Sequence, residues 1–280
     1  MTTELFPRPP LSVRTGAELA FALDRGLLTV LYQPVLELGR GGMVAVEALA
    51  RLRDPTTGRL IGPAEFMPLA EASGIVGRVD RKVAHLAIPR AAAWRRLRSG
   101  LPFSVAINVS AHDLQDVGLP DRMSGLASRV GLPMNALVVE LTETVLADAG
   151  EVQLDVLQRL VALDVNVTLD DFGTGFSSLT HLLTFPVRGI KIDRSFVREV
   201  GSGGRGEAIT RSLIGLGSDI GVHVVAEGIE TPEQLRLLRR YGCRLGQGYL
   251  LGRPMPAERI TALLSGSSDR IPSPRPASAG

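Results

Sequence analysis

Residues 165–175 read VNVTLDDFGTG and combine an alternating strand, two adjacent acids and a glycine-rich loop. Successive side chains of a strand point to opposite faces, so Val165, Val167 and Leu169 share one face and Asp170 falls on the other. Neighbouring carboxylates at a strand end repel each other unless a proton or a cation separates them. A divalent metal held by oxygen atoms explains the pair, and a turn or a helix cap is the alternative on these residues alone.

The same design recurs in other segments, each with an apolar face and a polar group near its carboxyl end. These segments are 43–46 running into Glu47, 104–109 with Asn108, 137–142 with Glu140, 189–193 with Lys191 and Asp193, 222–227 with Glu227, and 243–247 with Gln247. Helical spacing of apolar residues lies between them, at 151–163, 206–220 and 232–241. Strands that alternate with helices pair in parallel with one another, and a barrel presents its polar strand ends at one face. The sequence therefore predicts an α/β fold, a (β/α)8 barrel of the TIM type.

Length and composition indicate the extent of the barrel, its location and its preference for partners. The 280 residues fit one barrel of ~250 residues with short ends, and 45% of them are apolar. We expect an N-terminal arm at 1–14, the barrel at 15–264 and a disordered tail at 265–280, which is rich in Ser, Pro and Gly. No apolar run approaches the ~18 residues of a membrane segment, and the single Cys243 implies no disulfide, so a cytoplasmic location is expected. A formal net charge of +2 gives little steering towards DNA.

The polar strand ends favour a hard metal. Together they supply five carboxylates and one amide oxygen, from Glu47, Asn108, Glu140, Asp170, Asp171 and Glu227. Oxygen ligands without cysteine or histidine partners favour Mg²⁺ or Mn²⁺ over Zn²⁺. His223 is interpreted as an inward-facing, hydrogen-bonded histidine rather than a ligand. The basic run from Arg90 to Arg98 with Trp94 is interpreted as the solvated end of a helix rather than a nucleic-acid patch.

Seven motifs then stand in order along the chain. They are Glu47-Ala48-Leu49 with Arg51, Asn108-Val109-Ser110, Glu140-Leu141-Thr142-Glu143, Asp170-Asp171, Lys191-Ile192-Asp193, Ala226-Glu227-Gly228-Ile229-Glu230 and Gln247-Gly248-Tyr249. Together they resemble the EAL-domain family, bacterial phosphodiesterases that cut the second messenger cyclic di-GMP to linear pGpG. The similarity runs from about Gln33 to Pro254. It implies a TIM-type barrel modified by one antiparallel strand near its start.

The resemblance also implies a role for each matching residue. Glu47, Asn108, Glu140 and Asp170 match the ligands of a first metal, and Asp170 and Asp171 face a second, with Mg²⁺ or Mn²⁺ at both positions. Glu227 matches the carboxylate that holds or deprotonates the attacking water, Lys191 the cation beside it, and Gln247 a hydrogen-bonding neighbour. Gln33, Leu49, Arg51 and Asp193 match substrate-contacting positions. Glu143 matches the anchor of a loop, Asp171 to Ser178, that links the metal site to homodimer formation.

Three functions compete on this basis. The favoured one is a metal-dependent phosphodiesterase that hydrolyses cyclic di-GMP by a two-metal mechanism. A non-catalytic cyclic di-GMP receptor acting through a protein partner is the alternative, and the intact Asp170, Lys191 and Glu227 argue against it because binding needs no water-activating base. A barrel hydrolase for another phosphate or carbonyl substrate is disfavoured by Gln33 and Arg51.

Overall fold

The predicted strands pair into one closed sheet. The computed structural model describes residues 13–98, 101–173, 182 and 185–266, and within these residues nine strands form a single sheet. Eight of them close a ring, and the short β3 pairs with β2 outside it. The strands are β1 (Leu28–Glu37), β2 (Met43–Arg53), β3 (Leu60–Ile61), β4 (Ser104–Asn108), β5 (Leu137–Thr142), β6 (Asn166–Phe172), β7 (Gly189–Ile192), β8 (His223–Ala226) and β9 (Leu245–Gly246).

Strand direction within the ring agrees with the expected modification of the barrel. β1 is antiparallel to both of its neighbours, β2 and β9, whereas the other pairs of ring strands are parallel. The turn between β1 and β2 contains Gly41 at a φ of 75°, a left-handed conformation that glycine adopts without a steric penalty. The prediction of a TIM-type barrel with one antiparallel strand near its start is confirmed.

Helices follow the strands and cover the ring. The described helices are α1 (Gly16–Asp24), α2 (Pro63–Ala72), α3 (Val76–Leu97), α4 (Leu119–Val130), α5 (Glu143–Ala147), α6 (Glu151–Ala162), α7 (Arg194–Val197), α8 (Arg205–Ile220), α9 (Pro232–Arg240) and α10 (Ala257–Ser265). The three helices predicted from apolar spacing correspond to α6, α8 and α9, each within a residue or so at its ends. α9 begins with a capping box in which Thr231 and Gln234 satisfy each other's backbone amides, and Pro232 occupies the first turn.

The alternating strand faces have the predicted burial. Leu137, Val139 and Leu141 of β5 are essentially inaccessible, as are Val167 and Leu169 of β6. Burying each such side chain contributes about 1.5–3 kcal/mol to folding. This apolar face packs against the helices, so the opposite face of each strand is free to carry polar groups into the ring.

Trp94 joins three elements of the core. Its ring meets Tyr32 of β1 edge-on at 4.8 Å and Phe103 at 6.0 Å, and its indole nitrogen donates to Thr261 Oγ1 of α10 at 2.9 Å. The basic run is the end of helix α3, as predicted, but Trp94 itself is buried rather than solvated.

Four local expectations can be compared with the structure. Glu47 lies in the middle of the long strand β2, not at its end, because the hairpin with β1 continues to Arg53. His223 lies on the face of β8 opposite Val224, which packs on α8, and it is exposed because it stands at the start of the strand. None of the described helices has the length and apolarity that crossing a bilayer requires. The domain boundaries at 15 and 264 stay a prediction, and most of the expected arm and tail lies outside the described residues.

Candidate active site

Parallel register brings the polar strand residues to one end of the ring. Asn108 on β4 pairs directly with Glu140 on β5, and Asp170 on β6 pairs with Thr142 of β5. Gln33 on β1 faces Glu47 on β2 across the antiparallel pair. Residues far apart in sequence are therefore neighbours, as the strand-end pattern predicts.

Lys191 of β7 lies at the centre of this cluster. Its Nζ is 2.8 Å from Glu227 Oε1, 3.2 Å from Glu140 Oε2 and 3.2 Å from Asp170 Oδ1. A fourth carboxylate, Glu47, places its Oε2 at 3.4 Å. The lysine side chain is only 2% exposed, so its charge is compensated by these acids and not by water. One ammonium thus holds carboxylates from four strands or strand ends together.

Glu47 has two further partners. Asn108 Nδ2 donates to its Oε1 at 3.2 Å, and Gln247 Nε2 donates to its Oε2 at 2.7 Å. Gln247 follows β9 immediately and is buried, and its Oε1 has no hydrogen-bond partner among the described residues. That buried oxygen leaves an acceptor available at the site.

The acids of the cluster differ in pKa because their surroundings differ. Burial alone would raise the pKa of Glu47, but the Lys191 charge and the donated hydrogen bonds lower it. Glu140 lacks those amide donors, and its burial among like charges raises its pKa well above the ordinary value. Burial likewise raises the pKa of Glu227 to about 7, against the opposing effect of Lys191. Burial would lower the pKa of Lys191, yet the four surrounding carboxylates raise it well above its ordinary value.

Asp170 and Asp171 both lie within β6, and the second has an unusual backbone. Asp171 has a φ of 53°, a left-handed conformation that non-glycine residues adopt infrequently. Its amide donates to Asp170 Oδ1 at 2.9 Å, and burial and the neighbouring Asp170 charge raise the pKa of Asp171. The left-handed residue ends the alternation, so both acids can approach the same region.

The donor set fits two cations. Ligand oxygens of Glu47, Glu140 and Asp170 lie within 4.8 Å of one another, and so do those of Asp170, Asp171 and Glu227. Asp170 is common to both groups. Carboxylate oxygens in closely spaced groups are the ligands that Mg²⁺ and Mn²⁺ prefer, and the two groups account for five of the acids predicted to bind or activate at the metals.

A cavity of about 260 Å³ opens beside the cluster. Of the residues predicted to contact substrate, Gln33 and Leu49 line it. Arg51 and Asp193 are not among its lining residues: Arg51 Nη1 donates to the Ala50 carbonyl at 2.7 Å, and Asp193 Oδ1 accepts from the Ser195 amide as the cap of α7.

The cavity also has lining residues to which the sequence assigned no role, namely Arg194, Glu230 and Tyr249. Glu230 and Tyr249 belong to two of the quoted motifs. Arg194 directly follows a strand-end acid, which was the available signal. Tyr249 is 52% exposed, and the guanidinium of Arg253 lies 4.3 Å from its ring centroid. An aromatic ring and cations therefore border the entrance to an acidic pocket.

Glu143 contacts the loop that follows β6. Its Oε2 accepts a hydrogen bond from the Gly173 amide at 3.1 Å, and the carboxylate is buried at the start of α5. This is the amide contact expected of a loop anchor. Residues 174–178 of the expected loop lie outside the described part of the chain.

Comparison with known proteins gives one consistent family. The model of the EAL domain family matches residues 17–254. A cyclic di-GMP phosphodiesterase of Pseudomonas aeruginosa is 38% identical over 246 residues, which cover 88% of this chain and 41% of that protein. Cyclic di-GMP phosphodiesterase NbdA of the same species is 36% identical over 93% of this chain, which spans 33% of its length. The chain therefore spans well under half of these curated relatives.

Solved structures agree with the sequence comparison. The PaMucR phosphodiesterase in complex with c-di-GMP superposes with a TM-score of 0.80 and 38% identity, covering 87% of this chain and 98% of that one. The EAL enzyme Bd1971 in its form with cAMP and cyclic di-GMP superposes with a TM-score of 0.83 and 29% identity, covering 89% of this chain and 68% of that one.

Proposed function

This chain belongs to the EAL domain family, and on that premise we propose that it hydrolyses cyclic di-GMP to linear 5′-pGpG with two divalent metal ions. The observation that carries the proposal is the convergence of Glu47, Glu140, Asp170 and Glu227 on Lys191 beside an open cavity. A site meant only for binding an anionic dinucleotide gains nothing from so many buried carboxylates, because they repel the ligand.

The metals would be held by two overlapping sets of residues. Glu47, Asn108, Glu140 and Asp170 would hold the first ion, and Asp170 and Asp171 would face the second. When bound, the two cations would supply charge neutralisation for the phosphodiester and lower the pKa of the attacking water. Mg²⁺ and Mn²⁺ suit the all-oxygen donor set.

Glu227 is the group best placed to take the proton of the attacking water. Its carboxylate lines the cavity, and a pKa of about 7 makes it a base matched to neutral pH. Lys191 would hold Glu227 in place through the 2.8 Å contact and present positive charge to the phosphate. Gln247 Oε1 would accept a hydrogen bond from the same water, since it has no other partner among the described residues.

The cavity of about 260 Å³ has Lys191 and the acids Glu47, Asp170 and Glu227 on its lining, together with Tyr249 and Arg194. We infer that the scissile phosphate enters the cavity while the bases lie across its entrance, near Tyr249 and Arg194. Arg51 and Asp193 would then act at the edge of the site rather than inside it.

Chromatography of the reaction products tests the proposed function. The protein is incubated with cyclic di-GMP and either Mg²⁺ or Mn²⁺, and linear pGpG should accumulate as the cyclic substrate disappears. Ca²⁺ should support binding better than turnover, because its longer and looser coordination misplaces the water. Tight binding with intact substrate after long incubation would instead identify a receptor. Intact substrate without binding would contradict both functions.

Two accompanying expectations stay predictions. Homodimer formation is implied by the family resemblance, and sedimentation analysis of the purified protein tests it. The cytoplasmic location expected from the single buried Cys243 is a proposal of the same kind, consistent with hydrolysis of an intracellular second messenger.

A further inference from the structure

Two buried acids face each other outside the proposed metal site. Asp80 of α3 is 8% exposed, and Asp113, at the start of the short 3-10 turn Asp113–Gln115, is 2% exposed. Burial raises the pKa of Asp80, and the neighbouring Asp113 raises it further, so the two carboxyl groups lie close enough to interact. Both line a small cavity of about 30 Å³ behind strand β4, together with Ile107 and Asn108.

The pair has no matching cation. Asp80 Oδ2 and Asp113 Oδ1 are buried and lack a donor among the described residues, and neither acid forms an ion pair within that part of the chain. The charged or titratable groups around them are Arg81 and His85 on α3, His112 before the turn and Arg122 on α4. Arg122 is already paired with Asp116 at 2.7 Å. Two ionised carboxylates in this position would repel each other at a high desolvation cost.

Gly77 fixes where Asp113 lies. A Cβ added at Gly77 would be 2.5 Å from Asp113 Oδ1, so the carboxyl oxygen packs directly on the backbone of α3. Asp80 is three residues further along the helix, on the same face. The contact therefore joins the helix to the segment that follows β4.

That segment begins directly after Asn108, the last residue of β4. Burial raises the pKa of Asp80, and hydrogen bonding by Ser110, two residues after Asn108, opposes that rise. The Asp113 amide donates to Ser110 Oγ at 3.2 Å, and the Leu114 amide to the Ser110 carbonyl at 3.2 Å. Asp80 and Asp113 thus enclose the turn from both sides.

We propose that Asp80 and Asp113 share one proton, and that the resulting hydrogen bond fastens the turn after β4 to helix α3 and so positions Asn108. One acid is the donor and the other the acceptor, which satisfies both orphan oxygens at once. Burial and the neighbouring Asp113 raise the pKa of Asp80 to about 8, in agreement with a proton retained at neutral pH. The positioning of Asn108 rests on the proposed function, whereas the shared proton does not.

The pH dependence of stability tests the shared proton. A carboxyl whose pKa rises from its ordinary value of 3.8 to about 8 on folding stabilises the protein at low pH and loses this contribution as the pH rises. The urea midpoint of the wild type, relative to Asp80→Asn, should therefore fall between about pH 5 and pH 8 and level off above that range. Asp113→Asn should behave as Asp80→Asn does, since an amide can donate in place of the acid.

Asp121→Asn is the matched control. Asp121 is an exposed acid on α4 that pairs with Arg159, and its removal should leave the wild-type profile unchanged. If the urea midpoints of the wild type and both conservative variants change with pH in parallel, the proposal of a shared proton is wrong. These variants keep the size and hydrogen bonding of the site, so the result does not depend on a damaged fold.

Mg²⁺ binding followed by calorimetry tests the positioning of Asn108. Loss of a residue that orients a metal ligand weakens metal affinity by about 10–100-fold. We expect that loss in Asp80→Ala at about pH 6.5 and affinity within about twofold of wild type in Asp80→Asn. At about pH 8.5 the pair of the wild type ionises, and its affinity relative to Asp80→Asn should drop.

The outcomes are distinguishable from failure of the proposed function. Normal Mg²⁺ affinity in a folded Asp80→Ala variant would overturn the positioning of Asn108. So would a ratio of wild-type to Asp80→Asn Mg²⁺ affinity that does not change with pH. The pH comparison uses only conservative variants and decides the matter even where Asp80→Ala does not fold. A wild type that neither binds Mg²⁺ nor hydrolyses cyclic di-GMP contradicts the proposed function, while the stability profiles still test the shared proton.

Discussion

Replacing Lys191 by methionine removes the ammonium at the centre of the acidic cluster while keeping an unbranched side chain. Four carboxylate oxygens lie 2.8–3.4 Å from Lys191 Nζ, and the side chain is buried. Removing one partner of a buried ion pair typically costs about 3–5 kcal/mol, because the remaining charge is left uncompensated. We therefore expect the free energy of unfolding of the metal-free variant to fall by about this amount.

Urea unfolding in the presence of a chelator measures the loss. With an m-value of about 3 kcal/mol per molar urea, the midpoint should fall by roughly 1–2 M. The loss should be larger at about pH 8 than at about pH 6, because the acids whose pKa is raised, Glu140 and Glu227, must then ionise without a counter-charge. Added Mg²⁺ should recover part of the stability, since the cation replaces the missing positive charge.

Lys82 provides the control. It is the other lysine of the chain and lies on α3, away from the acidic cluster. Lys82→Met should shift the midpoint little. Equal midpoints for the two variants would refute the argument that Lys191 compensates the buried acids.

Four further outcomes follow from the site. Asp170→Asn should lose both Mg²⁺ affinity and turnover, whereas the exposed Asp148→Asn should keep them; equal losses would contradict a metal role for Asp170. Glu227→Gln should lower kcat at least ~10²-fold with substrate affinity near wild type, and a joint collapse of rate and affinity would make Glu227 mainly a ligand. Mg²⁺ affinity should rise between about pH 6 and pH 8 as Glu227, with its pKa of about 7, gives up its proton; calorimetry in buffers of different ionisation enthalpy detects the released protons. Glu143→Ala removes the acceptor of the Gly173 amide, and unchanged rate, metal affinity and oligomeric state in that variant would exclude the loop after β6 from the mechanism.

The part of the fold that the sequence predicts is the part governed by a local period. Alternation in β5 and β6 and three- and four-residue spacing in α9 determine which face is buried, and this follows from backbone geometry alone. The level at which a polar residue lies along its strand depends on pairing with another strand. Glu47 appeared to end a strand because nothing in its own neighbourhood shows that the hairpin with β1 extends to Arg53.

The residues of the site likewise fall into those that a local sequence pattern predicts and those that it does not. Strand-end acids such as Glu140 and Asp170 were predictable because each follows its own apolar alternation. The contacts of Lys191 were not, since sequence spacing does not show that one ammonium reaches four strands. Asp80 and Asp113 are separated by 33 positions on a helix and a turn, and no period joins them. Aspartate is one of the non-glycine residues enriched in the left-handed region, but nothing in the local sequence shows that Asp171 adopts it and Asp170 does not.

The pairing of β1 with β9 has a consequence for the point in synthesis at which the proposed activity would begin. These strands share only two residue pairs, and Gln247, directly after β9, bonds Glu47 across 200 positions of sequence. Glu47 therefore acquires the second of its two amide donors in the same event that closes the ring. A chain still emerging from the ribosome holds most of the acids before it holds Gln247. We expect messenger hydrolysis to begin only after the last ring strand has been synthesised, so that incomplete chains leave the cellular pool of the messenger untouched.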